Sequence, residues 1–288
     1  MPELPEVEVV RRGLEQLIDG RTILATQVLH PRPVRTHPSG VEGFTVETVG
    51  RTFATPRRRG KYLWLPFEDG DAMLAHLGMS GQFRINAPVD PLLPNTRVLF
   101  DLSDGVQLRF VDQRMFGGLS LSPEGAVLPA EIAHIAPDPF ESSYDPDQVA
   151  ARIRGSGSGI KRLLLNQQVV SGFGNIYVDE ALWRARLHYD LPGERLSRTR
   201  ALNLLDLGRQ VMAEALEVGG TSFDSLYVNV NGESGYFERG LQAYGREGLP
   251  CLRCGRLLVR EAFMNRSSYR CPNCQRRPRQ PRPAAAAH

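Results

Sequence analysis

The four cysteines of the chain stand as Cys251-x2-Cys254 and, sixteen residues on, Cys271-x2-Cys274. Two close pairs of thiolates at this separation match a tetrahedral zinc site. All four positions are filled by protein and none is left for water, so the metal is expected to be structural. The stretch between the pairs then has a prescribed shape. Residues 257–263 read as a strand, 265–268 as a turn and 269–270 as the returning strand, with Arg266 near the tip. Two disulfides are the alternative, and they belong to oxidising compartments. The first thirty residues carry Glu3, Glu6, Glu8, Arg11, Arg12, Glu15 and Asp19, so no apolar secretion signal fits there. No run of apolar residues is long enough to span a bilayer. The expected compartment is the cytoplasm, and the expected cofactor is one structural Zn2+ with no organic cofactor.

A chain of 288 residues can hold two domains with cores of their own. At 41% hydrophobic and 23% charged residues it is neither collagen-like, nor a coiled coil, nor wholly disordered. Its net charge of +3 hides an asymmetry. From Cys251 onward there are nine Arg against the single acid Glu261, while the first 250 residues carry a net charge of −5. A basic end on a slightly acidic body points to a polyanionic partner. Only two of the 35 basic residues are Lys, at positions 61 and 161. A compact ammonium at just those two places suits a phosphate or a proton-transfer site where a planar guanidinium would not fit.

Along the chain, Val7, Val10, Leu14, Leu17 and Ile18 make a helical stripe closed by Gly20, with Pro2 and Glu3 just before it. Short strands are then expected at 22–29, 45–52, 62–67, 72–77, 98–102, 106–110 and 118–121. One leading helix followed by many short strands implies a β-sandwich or barrel. Proline-rich sequence at 136–146 marks a boundary. Beyond it, helices are expected at 161–168, at 175–185 with Asn175 as N-cap, and within 196–218. The expected layout is an α+β chain of two domains. Residues 1–136 form an N-terminal β-sandwich with a leading helix, 137–150 a linker and 151–248 a helical domain. A zinc ribbon follows at 249–276, then a disordered basic and Ala-rich tail at 277–288.

Pro2 is a candidate nucleophile. Removal of Met1 would leave a secondary amine whose reference pKa lies near 8, so part of it is neutral at neutral pH. Attack on a sugar C1′ would give an iminium ion, an electron sink for elimination. Glu3 beside it could move protons. On their own, these two residues also fit a plain helix start. The ordered set Pro2-Glu3-Leu4-Pro5-Glu6-Val7-Glu8, His76-Leu77-Gly78-Met79-Ser80-Gly81, Asp112-Gln113-Arg114-Met115-Phe116-Gly117, Gly172-Phe173-Gly174-Asn175-Ile176-Tyr177 and Gly235-Tyr236-Phe237, closed by the Cys ribbon, is more specific. Together these motifs resemble the bacterial formamidopyrimidine-DNA glycosylases of the Fpg/Nei family, and the resemblance spans residues 2 to about 276.

The resemblance implies a monomeric bifunctional repair enzyme with a helix–two-turns–helix domain. Its partner would be duplex DNA carrying oxidised purines or abasic sites, with no membrane. Pro2 would be the nucleophile and Glu3 the acid/base, with Lys61 assisting at the lesion-flanking phosphate. Lys161, Asn175 and Arg266 would hold backbone phosphates, with Tyr177 as a further candidate. Relatives often carry His-x-His-Val where this chain has Asn95-Thr96-Arg97-Val98, and Arg97 is the candidate contact there. Met79, Arg114 and Phe116 would fill the gap left by an extruded base. The loop with Glu233, Gly235 and Tyr236 would close over that base. His76 reads as a core or backbone-supporting histidine, and Glu6 as a helix-start carboxylate. The alternatives are a Nei-type enzyme for oxidised pyrimidines and a non-catalytic zinc-ribbon DNA-binding protein.

Overall fold

The leading helix, α1 (Leu4–Ile18), forms because its apolar residues fall on one stripe. Leu4, Val7, Val10, Leu14 and Ile18 are all fully buried or nearly so. A capping box starts it: the Glu3 side chain takes the N–H of Glu6, and the Glu3 N–H donates to Glu6 Oε2 at 2.8 Å. The computed structural model describes residues 2–220 and 240–278.

Two antiparallel four-stranded sheets follow. The first has the order β1 (Ile23–Val28), β6 (Thr96–Leu102), β7 (Gln107–Asp112), β5 (Gly81–Asn86). The second has the order β2 (Arg57–Arg59), β3 (Tyr62–Pro66), β4 (Ala72–His76), β8 (Gly118–Ser122). Ile23, Phe44, Phe53, Phe67, Phe83, Phe100 and Phe110 share one buried cluster with Val7, Val10 and Leu14 of α1. One expected strand is absent. Residues 45–52 are rich in Thr and Val, yet α2 (Gly40–Thr48) takes the first half of that stretch. Phe44 and Thr48, one turn apart, both face inward, and the Thr48 hydroxyl bonds the Phe44 carbonyl and Thr26 Oγ1. Tertiary burial overrides strand propensity here.

The second unit is built from α3 (Pro146–Arg154), α4 (Ile160–Leu165), α5 (Asn175–Ala185) and the first part of α6 (Arg198–Glu217). Asp145 caps α3 through the N–H groups of Asp147 and Gln148. Helix α4 ends three residues earlier than expected, where Asn166 leaves helical geometry. Asn175 is not the cap of α5. Gly174 takes that place in extended backbone, and Asn175 is the first helical residue. The ribbon hairpin pairs β9 (Val259–Phe263) with β10 (Arg266–Arg270), so the turn is the two residues Met264 and Asn265, and Arg266 opens the second strand.

Contacts divide the described chain into a sandwich unit of residues 2–144, 170–172 and 212–220, and a helical unit of residues 145–169, 173–211 and 240–278. This differs from the expected layout. The segment expected as a linker is part structure, because Asp138 and Glu141 bond strand β2, and short pieces of later sequence return to the sandwich.

Candidate active site and nucleic-acid contacts

In the sandwich unit, the start of α1 is enclosed. Pro2 is buried and Glu3 is 5% exposed. Gly172 has φ +90°, and a Cβ there would meet Leu4 Cδ1 at 2.3 Å. Gly220, at φ +84°, lies against Glu6 in the same way, with 3.2 Å from a Cβ to Oε1. Both positions need glycine for the backbone turn and for the close approach. Lys61 sits on the tight turn between β2 and β3, after Gly60 at φ +56°. A Cβ on Gly60 would lie 2.7 Å from Ser171 Cβ. The 170–172 turn therefore touches the Lys61 turn with one residue and the first residue of α1 with the next. The Lys61 turn and the start of α1, just after Pro2 and Glu3, thus pack on the same 170–172 turn.

Met79, Arg114 and Phe116 also converge. Met79 lies between β4 and β5, and the other two lie between β7 and β8. Arg114 Nη1 is 3.7 Å from Met79 Sδ. Met79 is 38% and Phe116 51% exposed, which is costly for apolar side chains unless a partner covers them. Their organiser is Asp112, which the motif contains but to which sequence reasoning gave no role. Fully buried, it accepts from Ser80 Oγ at 2.6 Å and from the Gly117 N–H at 2.7 Å. Ser80 Oγ in turn takes the Arg114 N–H. His76, exposed at the end of β4, hydrogen-bonds the Phe116 backbone, which is the supporting role and not the core one. Arg97 is half-buried and donates to the Asp112 carbonyl at 2.9 Å and to Asn95 Oδ1 at 3.0 Å. Expected on a phosphate, it is committed in part to bracing the same loop.

In the helical unit, two residues expected on phosphates are buried. Lys161 is fully buried, with Nζ 2.6 Å from Asp179 Oδ1, 3.1 Å from the Ser267 carbonyl and 5.1 Å from the centre of the Phe263 ring. Its ammonium is spent inside the protein. Tyr177 is also fully buried, as a large side chain of the α5 core. Asn175 is half-buried, and its amide donates to the Ser267 carbonyl at 3.0 Å. Arg266 is exposed, its Nε donates to Asn265 Oδ1 at 3.4 Å, and it has no ion pair among the described residues. Glu233, Gly235 and Tyr236 lie outside the described residues.

Sequence reasoning missed the two residues that anchor the ribbon. Asp179 accepts from Lys161, from Ser268 Oγ at 3.0 Å and from the Tyr269 N–H at 2.9 Å. Burial pushes its carboxyl up to about 6, against the pull of Lys161 and these donors. Glu180 takes the N–H groups of Gln242, Ala243 and Tyr244, and burial raises its carboxyl as well. The available signal was an acidic pair inside the apolar run Tyr177-Val178-Asp179-Glu180-Ala181-Leu182-Trp183.

The four Cys sulfurs lie within 4.8 Å of one another. A tetrahedral zinc with bonds of ~2.3 Å would set them ~3.8 Å apart, so the group fits this site. Cys254 Sγ and Cys271 Sγ are 3.5 Å apart, far too long for a disulfide. The Trp183 indole N–H points to Cys251 Sγ at 3.4 Å and Arg253 stacks on the same ring at 4.0 Å, so the site is backed by α5.

Sandwich, helical unit and four-cysteine hairpin together define a zinc-ribbon protein with a helix–two-turns–helix domain. Comparison with known proteins agrees along the chain. Residues 1–119 match the formamidopyrimidine-DNA glycosylase N-terminal domain, 135–226 the H2TH domain of the same proteins, and 248–277 the zinc finger found in FPG and IleRS. The chain is 58% identical to a formamidopyrimidine-DNA glycosylase of Nocardioides sp. over 99% of this chain and 98% of that one. It is 56% identical to that of Streptomyces coelicolor over 97% and 99%. The wild-type Lactococcus lactis Fpg (MutM) in complex with an N7-benzyl-Fapy-dG DNA superposes with a TM-score of 0.86 at 34% identity, over 96% of this chain and all of that one. The chain belongs to the formamidopyrimidine-DNA glycosylase family.

Proposed function

We propose that this chain excises oxidised purines, 8-oxoguanine and formamidopyrimidines, from duplex DNA and then cleaves the abasic strand by β,δ-elimination. It acts as a monomer in the cytoplasm. The observation that carries the reading is the enclosure of Pro2 and Glu3 beside the Lys61 turn, in a chain of this family.

A base stacked in a duplex hides its C1′, so the nucleotide must first be extruded. Met79 and Phe116 are apolar wedges for the vacated space, and Arg114 is a fork donor for the orphaned partner base. With Met1 removed, the Pro2 nitrogen attacks C1′. The C1′–base bond breaks, and the base leaves with the bonding pair and takes up a proton. Glu3 serves the ring-opening proton transfer. The resulting iminium acidifies the C2′–H, and loss of that proton expels the 3′ phosphate; the new C2′–C3′ double bond, conjugated to the iminium, acidifies the C4′–H, and loss of that second proton expels the 5′ phosphate. Lys61 holds the flanking phosphate and assists these transfers. Asn175 and Arg266 grip backbone phosphates, and the start of α5 adds its N–H groups. Lys161 acts indirectly, by fixing the hairpin that carries Arg266.

The test is borohydride trapping on an 8-oxoguanine duplex followed by peptide mapping. An adduct at Pro2 is expected, together with faster release of oxidised purines than pyrimidines across a lesion panel. An adduct at Lys61, or full nicking by protein with a blocked N-terminus, would overturn the Pro2 mechanism.

A further inference from the structure

The three residues before Lys61 are held by one short segment, and the proposed reaction makes no use of that grip. Asp138 is fully buried. Its Oδ2 takes Arg58 Nη1 at 2.6 Å and the Gly60 N–H at 2.8 Å, while Oδ1 takes the Phe140 N–H at 3.0 Å. Arg58 Nη1 also donates to the Gly60 carbonyl at 3.0 Å, so both polar groups of the residue before Lys61 are tied. Glu141 holds Arg59 at 2.9 Å and takes the Asp138 N–H. From its other edge, Arg58 Nε donates to Glu8 Oε2 at 3.0 Å. Glu8 lies on α1, five residues and about 7.5 Å of helix beyond Glu3. Burial opposes ionisation of Glu8, but Arg11 and Arg58 outweigh it and hold its carboxyl below the ordinary range.

We infer that Asp138, acting through Arg58 and Gly60, is a positioning residue that fixes the Lys61 ammonium relative to Pro2 and Glu3. The inference rests on the role proposed above for Lys61. A two-residue turn is otherwise free to rock about its strand ends. Asp138 stops the turn from one side, Ser171 packs on it from another, and Arg58 links the assembly to the helix that carries the nucleophile. A side chain on such a mount loses little entropy when it meets a phosphate, and small displacements of a reacting group are costly.

The test is a double-mutant cycle read by single-turnover cleavage of an abasic duplex at saturating enzyme. Asp138→Asn preserves shape but removes the charge that Arg58 and Gly60 share. It should slow cleavage about tenfold and change duplex affinity less than about twofold. In a Lys61→Ala background the same substitution should cost nothing further, because the group it positions is gone. Wild-type cleavage by Asp138→Asn, or an equal loss in both backgrounds, would overturn the inference. Wild-type cleavage by Lys61→Ala alone would instead sink the role of Lys61 itself. If Asp138→Asn does not fold, Glu8→Gln loosens Arg58 from the other side. Its loss should likewise vanish in the Lys61→Ala background, and persistence there would reject the positioning role.

Discussion

With Lys161 Nζ 2.6 Å from Asp179 and both side chains wholly buried, deleting either charge strands the other. Lys161→Met should therefore cost about 3–5 kcal/mol of stability at neutral pH. Burial already pushes Asp179 up to about 6, so the stranded carboxyl can take a proton and the cost should shrink as pH falls. Urea melts of the two proteins at several pH values measure this. Arg266→Ala should behave in the opposite manner. Exposed and without an ion pair among the described residues, Arg266 contributes little to the fold. Its loss should weaken lesion and undamaged duplex alike and reduce the salt slope by about 1. A loss confined to lesion discrimination would contradict a phosphate role. The contrast shows what residue type reveals. Two Lys among 33 Arg mark positions where a compact ammonium is needed, but an ammonium suits a buried carboxylate as well as a phosphate. For Lys161 the deciding fact was Asp179, eighteen residues away and adjacent only in the fold. Pro2 and Glu3 could be singled out because their motif is local.

Helix α1 was legible from its stripe, and β1, β3, β4, β6, β7 and β8 from short β-branched or aromatic runs between turns. The elements that escaped have physical reasons. Strand β5 reads Gly-Gln-Phe-Arg-Ile-Asn, too polar to announce itself, and it exists because β7 pairs with all six of its residues. Helix α2 was hidden by its β-branched residues, one of which, Val46, is 74% exposed. The two loops that carry Met79, Arg114 and Phe116 were placed by motif, but their union depends on Asp112 and on Gly78. At φ +60°, a Cβ on Gly78 would strike the Phe116 carbonyl carbon at 2.7 Å. Phe116→Ala removes a half-exposed ring while leaving these bonds intact, so stability should change little. Excision from an intact lesion duplex should slow on the order of tenfold or more, because the unstacked state loses its filler. Cleavage of a preformed abasic duplex should slow far less, the base being already absent. Equal losses on both substrates, measured by single-turnover kinetics, would remove Phe116 from the wedge.

At the scale of the molecule, the sandwich and the ribbon end differ in what keeps them folded among the described residues. The sandwich has a large apolar cluster, whereas the ribbon end is held by five small-core residues, two of them Cys, and by bonds from α5. Acid should therefore attack the ribbon end first. His188 is 3% exposed and takes the Asp190 N–H on Nδ1, and burial together with the Arg270 charge lowers it to about 4. A depressed histidine stabilises the fold fully above its ordinary value of 6.5, and that contribution is lost as pH falls toward 4. Replacing it by Asn, which keeps an acceptor for Asp190 and cannot titrate, should flatten the stability curve between those limits. An unchanged curve would rule His188 out as the source. Glu261, held down to about 2 chiefly by Arg270, extends the same loss from its ordinary value of 4.5 toward 2. Zinc removal tests the asymmetry directly. The chain has two Trp, Trp64 in the sandwich and Trp183 against Cys251 and Arg253. Zinc binding in such ribbons is worth on the order of 10 kcal/mol, more than so small a core can replace. Chelation should expose Trp183 and shift its emission to the red in a Trp64→Phe protein. In a Trp183→Phe protein, the emission of Trp64 should stay where it was. Duplex affinity should fall in step with the Trp183 signal, because Arg266 is presented by the hairpin the metal holds. If Trp64 shifts with Trp183, the sandwich depends on the metal as well. If affinity survives the loss of zinc, Arg266 does not need the ribbon to reach its phosphate.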